Sequence, residues 1–150
     1  GQLGIALTDT FTTKNFLEAF GTRYAKLFDG VRHDSGCPFE FGETIIKHYE
    51  NLGIDPKSKT IIFSDGLDDK RAIELFEKFY GRIKVSFGIG TFLSNDVGFE
   101  PRSIVIKISK CRWLGTERWI NVVKLSDNPD KHHGPPEAIA NTQYEIGLAV

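Results

Sequence analysis

The sequence of 150 residues contains no methionine, even at position 1, only two cysteines and six prolines, and no apolar run near the ~20 residues that cross a bilayer. Two thiols, Cys37 and Cys111, cannot build a disulfide framework, and no Cys/His spacing reads as a zinc site, so both are expected as reduced thiols in a cytoplasmic protein. A formal net charge of -1 leaves no global field to attract a nucleic-acid backbone or an anionic membrane surface. Neither partner is expected, and any anion site must be local. The stretch Gly1 to Asp9 has no basic region or cleavage signal and runs directly into a strand pattern, which reads as the start of an excised piece of a longer chain.

What is present has the balance of one globular domain, with 40% hydrophobic and 26% charged residues. Short apolar, β-branched runs alternate with longer segments of spaced apolar residues, the signature of successive βα units in a parallel sheet or barrel. Strands are expected at Leu3–Thr8, Leu27–Val31, Thr60–Ser64 and Ile83–Phe87. Helices are expected near Thr13–Phe20, over Glu40–Asn51 and from about Asp68 to Tyr80, the last two stopped by Gly53 and Gly81. Beyond Pro101 the periodicity changes. Ile104–Ile108 and Trp119–Leu125 read as an antiparallel pair, followed by a Pro/Asp/His-rich loop and a weak terminal helix. Residues 1–97 are therefore expected to form the βα units of a partial α/β barrel, and 98–150 a hairpin and tail of the same domain.

Asp9, Asp34, Asp65 and Gly88 each fall just past the C-terminal end of an expected strand, at separations of 25, 31 and 23 residues. In parallel α/β folds those strand ends share one face, where sites form. Gly30-Val31-Arg32-His33-Asp34-Ser35-Gly36 sets a guanidinium able to clamp phosphate beside an imidazole, a carboxylate and a hydroxyl. Alone, Arg32-x-Asp34 would read as a surface ion pair, and His33 as a structural histidine. Ser64-Asp65-Gly66 and Gly88-Ile89-Gly90-Thr91 offer backbone N–H groups to a terminal phosphate. A G-x-G pair without the longer fingerprint disfavours a dinucleotide fold. Thr8-Asp9-Thr10 also suits a helix cap.

Thr8-Asp-Thr-Phe-Thr12, Phe28-Asp-Gly-Val-Arg-His-Asp-Ser-Gly36, Phe63-Ser-Asp-Gly-Leu67 and Ser86-Phe-Gly-Ile-Gly-Thr91 resemble, in order and spacing, nicotinate phosphoribosyltransferases. The likeness continues through Asn95-Asp96, Ile104-Val-Ile-Lys107 and Lys124-Leu-Ser-Asp127. The resemblance implies the later units of an irregular α/β barrel of the type II phosphoribosyltransferases with an appended hairpin, in the C-terminal part of a homodimeric enzyme. It implies an ATP-coupled, Mg²⁺-dependent reaction of nicotinate with phosphoribosyl pyrophosphate, coupled through a histidine upstream of this segment, in NAD synthesis. The isolated segment is expected to lack complete activity.

Carried over by motif, Arg32 and Ser35 would bind substrate, and Asp65, Gly66, Gly88, Gly90 and Thr91 would grip the ribose 5′-phosphate. Asp34 and Asp9 would serve the catalytic centre, and no metal ligands are assigned. Cys37 and Asp130 depart from the residues usual in the family. Two other classes compete: a different phosphate-binding α/β-barrel enzyme, which would want a Schiff-base lysine or a glutamate at a strand end, and a non-catalytic assembly module, which would bind no phosphate.

Overall fold

The structure is a computed structural model and describes residues 3–100, 102 and 104–148. Pro101, where the sequence periodicity changes, and the outermost residues Gly1 and Val150 lie outside them. Strands β1 (Ile5–Leu7), β2 (Gly30–His33), β3 (Thr60–Phe63) and β4 (Lys84–Phe87) form one four-stranded sheet in the order β1-β2-β3-β4, every pair parallel. A strictly sequential order without reversal belongs to a βα barrel; a doubly wound sheet reverses at a switch point.

The register aligns Val31 with Ile61 and Val85, and His33 with Phe63 and Phe87. These residues share one face of the sheet, on which the helices pack. Gly30 permits the β2–β3 approach, since a Cβ there would lie 1.8 Å from the Thr60 carbonyl oxygen.

Helix α1 (Thr13–Ala19) begins at Thr12, whose hydroxyl accepts from the Asn15 N–H, so the cap is not the Thr8–Thr10 segment. Helix α3 (Pro38–Asn51) begins with proline in its first turn and buries Phe41, Ile45, Ile46 and Tyr49. Helix α4 (Asp69–Phe79) is capped by Asp68 and buries Leu75 and Phe79. Phe79 stacks on Phe63, which stacks in turn on Phe87, so one aromatic column joins α4 to β3 and β4.

Two expected elements differ. The segment Leu27–Val31 is not one strand: α2 (Thr22–Leu27) ends at Leu27, and β2 starts three residues later. Its sequence, Thr-Arg-Tyr-Ala-Lys-Leu, favours helix, and the buried Lys59 ammonium bonds the Phe28 carbonyl at 2.7 Å just past its end.

The hairpin is formed by β5 (Lys110–Arg112) and β6 (Trp119–Asn121), not by Ile104–Ile108 with Trp119–Leu125. The turn sets this register: Thr116 N–H donates to the Trp113 carbonyl, and the Arg112–Glu117 ion pair closes at 2.9 Å. Ile104–Ile108 stays outside the sheets and exposed, Ile106 at 96%. Leu125 is fully buried, its N–H donating to the Thr10 carbonyl. Helix α5 (Thr91–Ser94) is one turn, and α6 (Pro136–Glu145) is the terminal helix.

Candidate functional site

Asp9, Asp34, Asp65 and Gly88 stand one or two residues past the C-terminal ends of β1 to β4. The structure gathers the motif residues into a buried layer, a polar rim and a glycine-lined cleft.

Asp9 is the buried layer. It is fully enclosed, and its Oδ2 accepts from Ser35 Oγ at 2.9 Å, Ser126 Oγ at 3.0 Å and Lys124 Nζ at 3.1 Å. Burial pushes the carboxyl up, but these bonds and the Lys124 charge outweigh it, so its pKa lies below the usual carboxylate value. Oδ1 is buried with no partner. Ser35, 2% exposed, spends its hydroxyl on Asp9.

The rim is built from Arg32 of β2 and from Asp34, Ser64 and Asp65 just past the ends of β2 and β3. Arg32 donates from Nε to Ser64 Oγ at 2.9 Å and from Nη2 to Asp34 Oδ1 at 2.8 Å, with 46% of its side chain exposed. Among the described residues its Nη1 has no partner. Lys131 donates to the Asp34 carbonyl at 2.9 Å and to the Asp65 carboxylate.

The cleft, of about 360 Å³, is lined by Ser64, Gly66, Leu67, Gly88, Gly90 and Thr91, among others. Ser64 belongs to both parts, receiving the Arg32 bond and lining the cleft. Asp65 does not line it and pairs with Lys131 instead.

His33 lies under the rim and is 1% exposed, its Nε2 bonded to the Gly36 carbonyl at 3.2 Å and its ring edge-on to Phe41. Burial pushes its pKa down against the nearby Asp65 charge, so it is a neutral packing residue. Cys37 is exposed at the start of α3 and caps nothing with its side chain.

Sequence reasoning missed the strap of residues 124–131, which crosses the ends of β1, β2 and β3. Besides the Lys124, Ser126 and Lys131 bonds, Asp127 Oδ1 accepts from the Thr13 N–H at 2.7 Å. The strap brings two lysines to strand ends where none was expected, and each is ion-paired to an aspartate. Lys124-Leu-Ser-Asp127 was visible as a matching motif, yet nothing in local periodicity points to partners 114 to 117 residues away.

Residues 1–148 match the model of the "Nicotinate phosphoribosyltransferase (NAPRTase) family". The chain belongs to that family. A nicotinate phosphoribosyltransferase of Desulforapulum autotrophicum is 55% identical over 141 residues, covering 94% of this chain and 36% of its own length. Its namesake in Chromohalobacter salexigens is 54% identical, covering 99% of this chain and 38% of its own. The crystal structure of nicotinate phosphoribosyltransferase from Porphyromonas gingivalis superposes with a TM-score of 0.91 at 50% identity, over 97% of this chain and 38% of that one. The Vibrio cholerae structure gives 0.89 at 45% identity, over 100% of this chain and 36% of that one. The chain thus spans a little over a third of the length of these nicotinate phosphoribosyltransferases, and the fold described above is the corresponding part of theirs.

Proposed function

We propose that this chain carries the phosphoribosyl pyrophosphate site of a nicotinate phosphoribosyltransferase. The reaction joins nicotinate to phosphoribosyl pyrophosphate with ATP and water, giving nicotinate mononucleotide, pyrophosphate, ADP and phosphate, a step of NAD synthesis. The observation that carries the reading is the pairing of an exposed guanidinium rim with a glycine-lined cleft, joined through Ser64. A sugar with a diphosphate at one end and a monophosphate at the other needs two such anion receptors.

Arg32 takes the diphosphate with donors that Ser64 and Asp34 leave unused. Gly66, Gly88, Gly90 and Thr91 take the 5′-phosphate with backbone N–H and hydroxyl donors. As the bond from ribose C1 to the diphosphate breaks and the pyridine nitrogen of nicotinate attacks, C1 becomes positive, and the Asp34 carboxylate beside Arg32 supplies the opposing charge. Asp9 and Ser35, sealed against each other, hold the β1 and β2 loops in place from below rather than touching substrate.

Mg²⁺ belongs to the proposal through donor chemistry. Among the described residues no group of three or more His, Cys, Asp or Glu could cage a metal. An ion shared with substrate phosphates needs only one or two carboxylates, and Asp34 and Asp65 are the rim acids that could supply them. When bound it would offset charge on the departing pyrophosphate. ATP as co-substrate, a homodimer and a cytoplasmic location are parts of the same reading. No helix among the described residues is long and apolar enough to cross a membrane.

The test is formation of nicotinate mononucleotide by the purified full-length protein from labelled nicotinate, phosphoribosyl pyrophosphate, ATP and Mg²⁺. Product that disappears when phosphoribosyl pyrophosphate is omitted supports the reading. A folded full-length protein that makes none overturns it.

A further inference from the structure

The two anion receptors sit on different strands, and one side chain spans the loops that carry them. Lys131 bonds the main-chain carbonyl of Asp34, which ends the Arg32 loop, and the carboxylate of Asp65, whose next residue, Gly66, lines the cleft. Lys131 is itself anchored. Its 3-10 turn, Pro129–Lys131, starts at Asn128, whose side chain accepts from the Asp130 N–H. Asn128 N–H reaches Ser126 Oγ at 3.4 Å, and Ser126 bonds the buried Asp9. A chain of contacts therefore runs from the core to the ammonium.

We infer that Lys131 is a positioning residue for phosphoribosyl pyrophosphate, setting the separation between the Arg32–Asp34 rim and the Gly66–Gly88–Gly90 cleft. The inference rests on the proposed function, because only a ligand with two anionic ends feels that separation. Without the ammonium, a carbonyl and a carboxylate on neighbouring loops lose their common donor, and beyond the Arg32–Ser64 bond the two loops lose a tie that fixes their register. Misplacement of about 1 Å costs on the order of a hundredfold where two groups must be engaged together. Nicotinate, with a single carboxylate, does not bridge the two receptors, so its apparent affinity is insensitive to their spacing. A residue that merely stabilised the fold would not distinguish the substrates.

The experiment is steady-state kinetics of the full-length enzyme with Lys131→Met and Lys131→Arg, each substrate varied separately. The loss of a charged hydrogen-bond donor is expected to raise the KM for phosphoribosyl pyrophosphate about tenfold to a hundredfold in Lys131→Met. The KM for nicotinate stays within about twofold, and Lys131→Arg, which keeps the charge and donors, returns most of the loss. An unchanged KM for phosphoribosyl pyrophosphate, both KM values rising together, or no rescue by arginine would overturn the inference. A wild-type enzyme without turnover would instead sink the functional reading on which it stands. If Lys131→Met does not fold, Lys131→Gln gives the same comparison, and misfolding of both overturns the positioning role.

Discussion

Asp9 Oδ2 and Ser126 Oγ lie 3.0 Å apart in the interior, although 117 residues separate them in the chain. The carboxylate is fully buried and also holds Ser35 and Lys124, so one ion ties the end of β1 to the loop after β2 and to the strap. Such a site is sensitive to removal of a single partner. Breaking it leaves the Lys124 ammonium, itself mostly enclosed, without its counter-charge.

Asp9→Ala is therefore expected to cost about 3–5 kcal/mol of folding stability, whereas Ser126→Ala, which removes one of three donors, costs about 1 kcal/mol. Urea unfolding of both variants checks the ratio. Equal costs would mean that Asp9 is not the centre of the network.

Gly42 lies in α3 against the Phe79 ring of α4, where an added Cβ would meet ring atoms at 2.2 Å. Phe79 is fully buried within the aromatic column, stacked on Phe63. Gly42→Ala is expected to destabilise by about 1–3 kcal/mol from overpacking, despite the better helix propensity of alanine. Thermal unfolding that shows a gain in stability would contradict that packing.

Acid should weaken the fold in two ranges. Burial holds the His33 pKa below its usual 6.5, so the unfolded chain takes up that proton first. Stability is then full above about 6.5 and falls as pH drops through the lower folded value. His33→Phe, although less stable at neutral pH, should show a flatter decline as pH falls below about 6.5, and an unchanged slope would refute this. The Asp9 pKa is also lowered, so its contribution is present above the ordinary carboxylate value and lost as pH falls below it.

Arg82 grips Glu43 through two bonds of 2.7 Å, joining the segment after α4 to α3. With Lys78 nearby, this holds the Glu43 pKa at about 2. Both side chains are more than 40% exposed, so solvent screens the pair. Arg82→Ala is expected to cost at most about 1 kcal/mol, and less at high salt, by denaturant titration. A salt-insensitive loss of several kcal/mol would show a role beyond the ion pair.

The elements legible in the sequence were those whose local pattern and tertiary role agree. Thr60–Phe63 is a largely β-branched run whose Ile61 and Phe63 are buried, and Phe41, Ile45, Ile46 and Tyr49 of α3 keep the spacing of the face they bury. Ile104–Ile108 has an equally good strand pattern but finds no partner strand among the described residues, and the Trp113–Thr116 turn fixes the pairing elsewhere. The strand-end positions of Asp34 and Asp65 followed from counting βα units. The burial of Asp9 and Ser35 did not, because it depends on Lys124 and Ser126 arriving from the far end of the chain. Long-range polar contacts leave no periodic trace.

The most direct test of the site is calorimetric titration of the folded protein with phosphoribosyl pyrophosphate and Mg²⁺, comparing wild type with Arg32→Ala and with Arg82→Ala as a distant control. The expected result is binding by wild type and Arg82→Ala alike, and a loss of about tenfold or more for Arg32→Ala, the magnitude of a charged hydrogen bond. Equal affinity of Arg32→Ala and wild type, with both shown to be folded, would contradict the placement of the diphosphate at the β2 strand end.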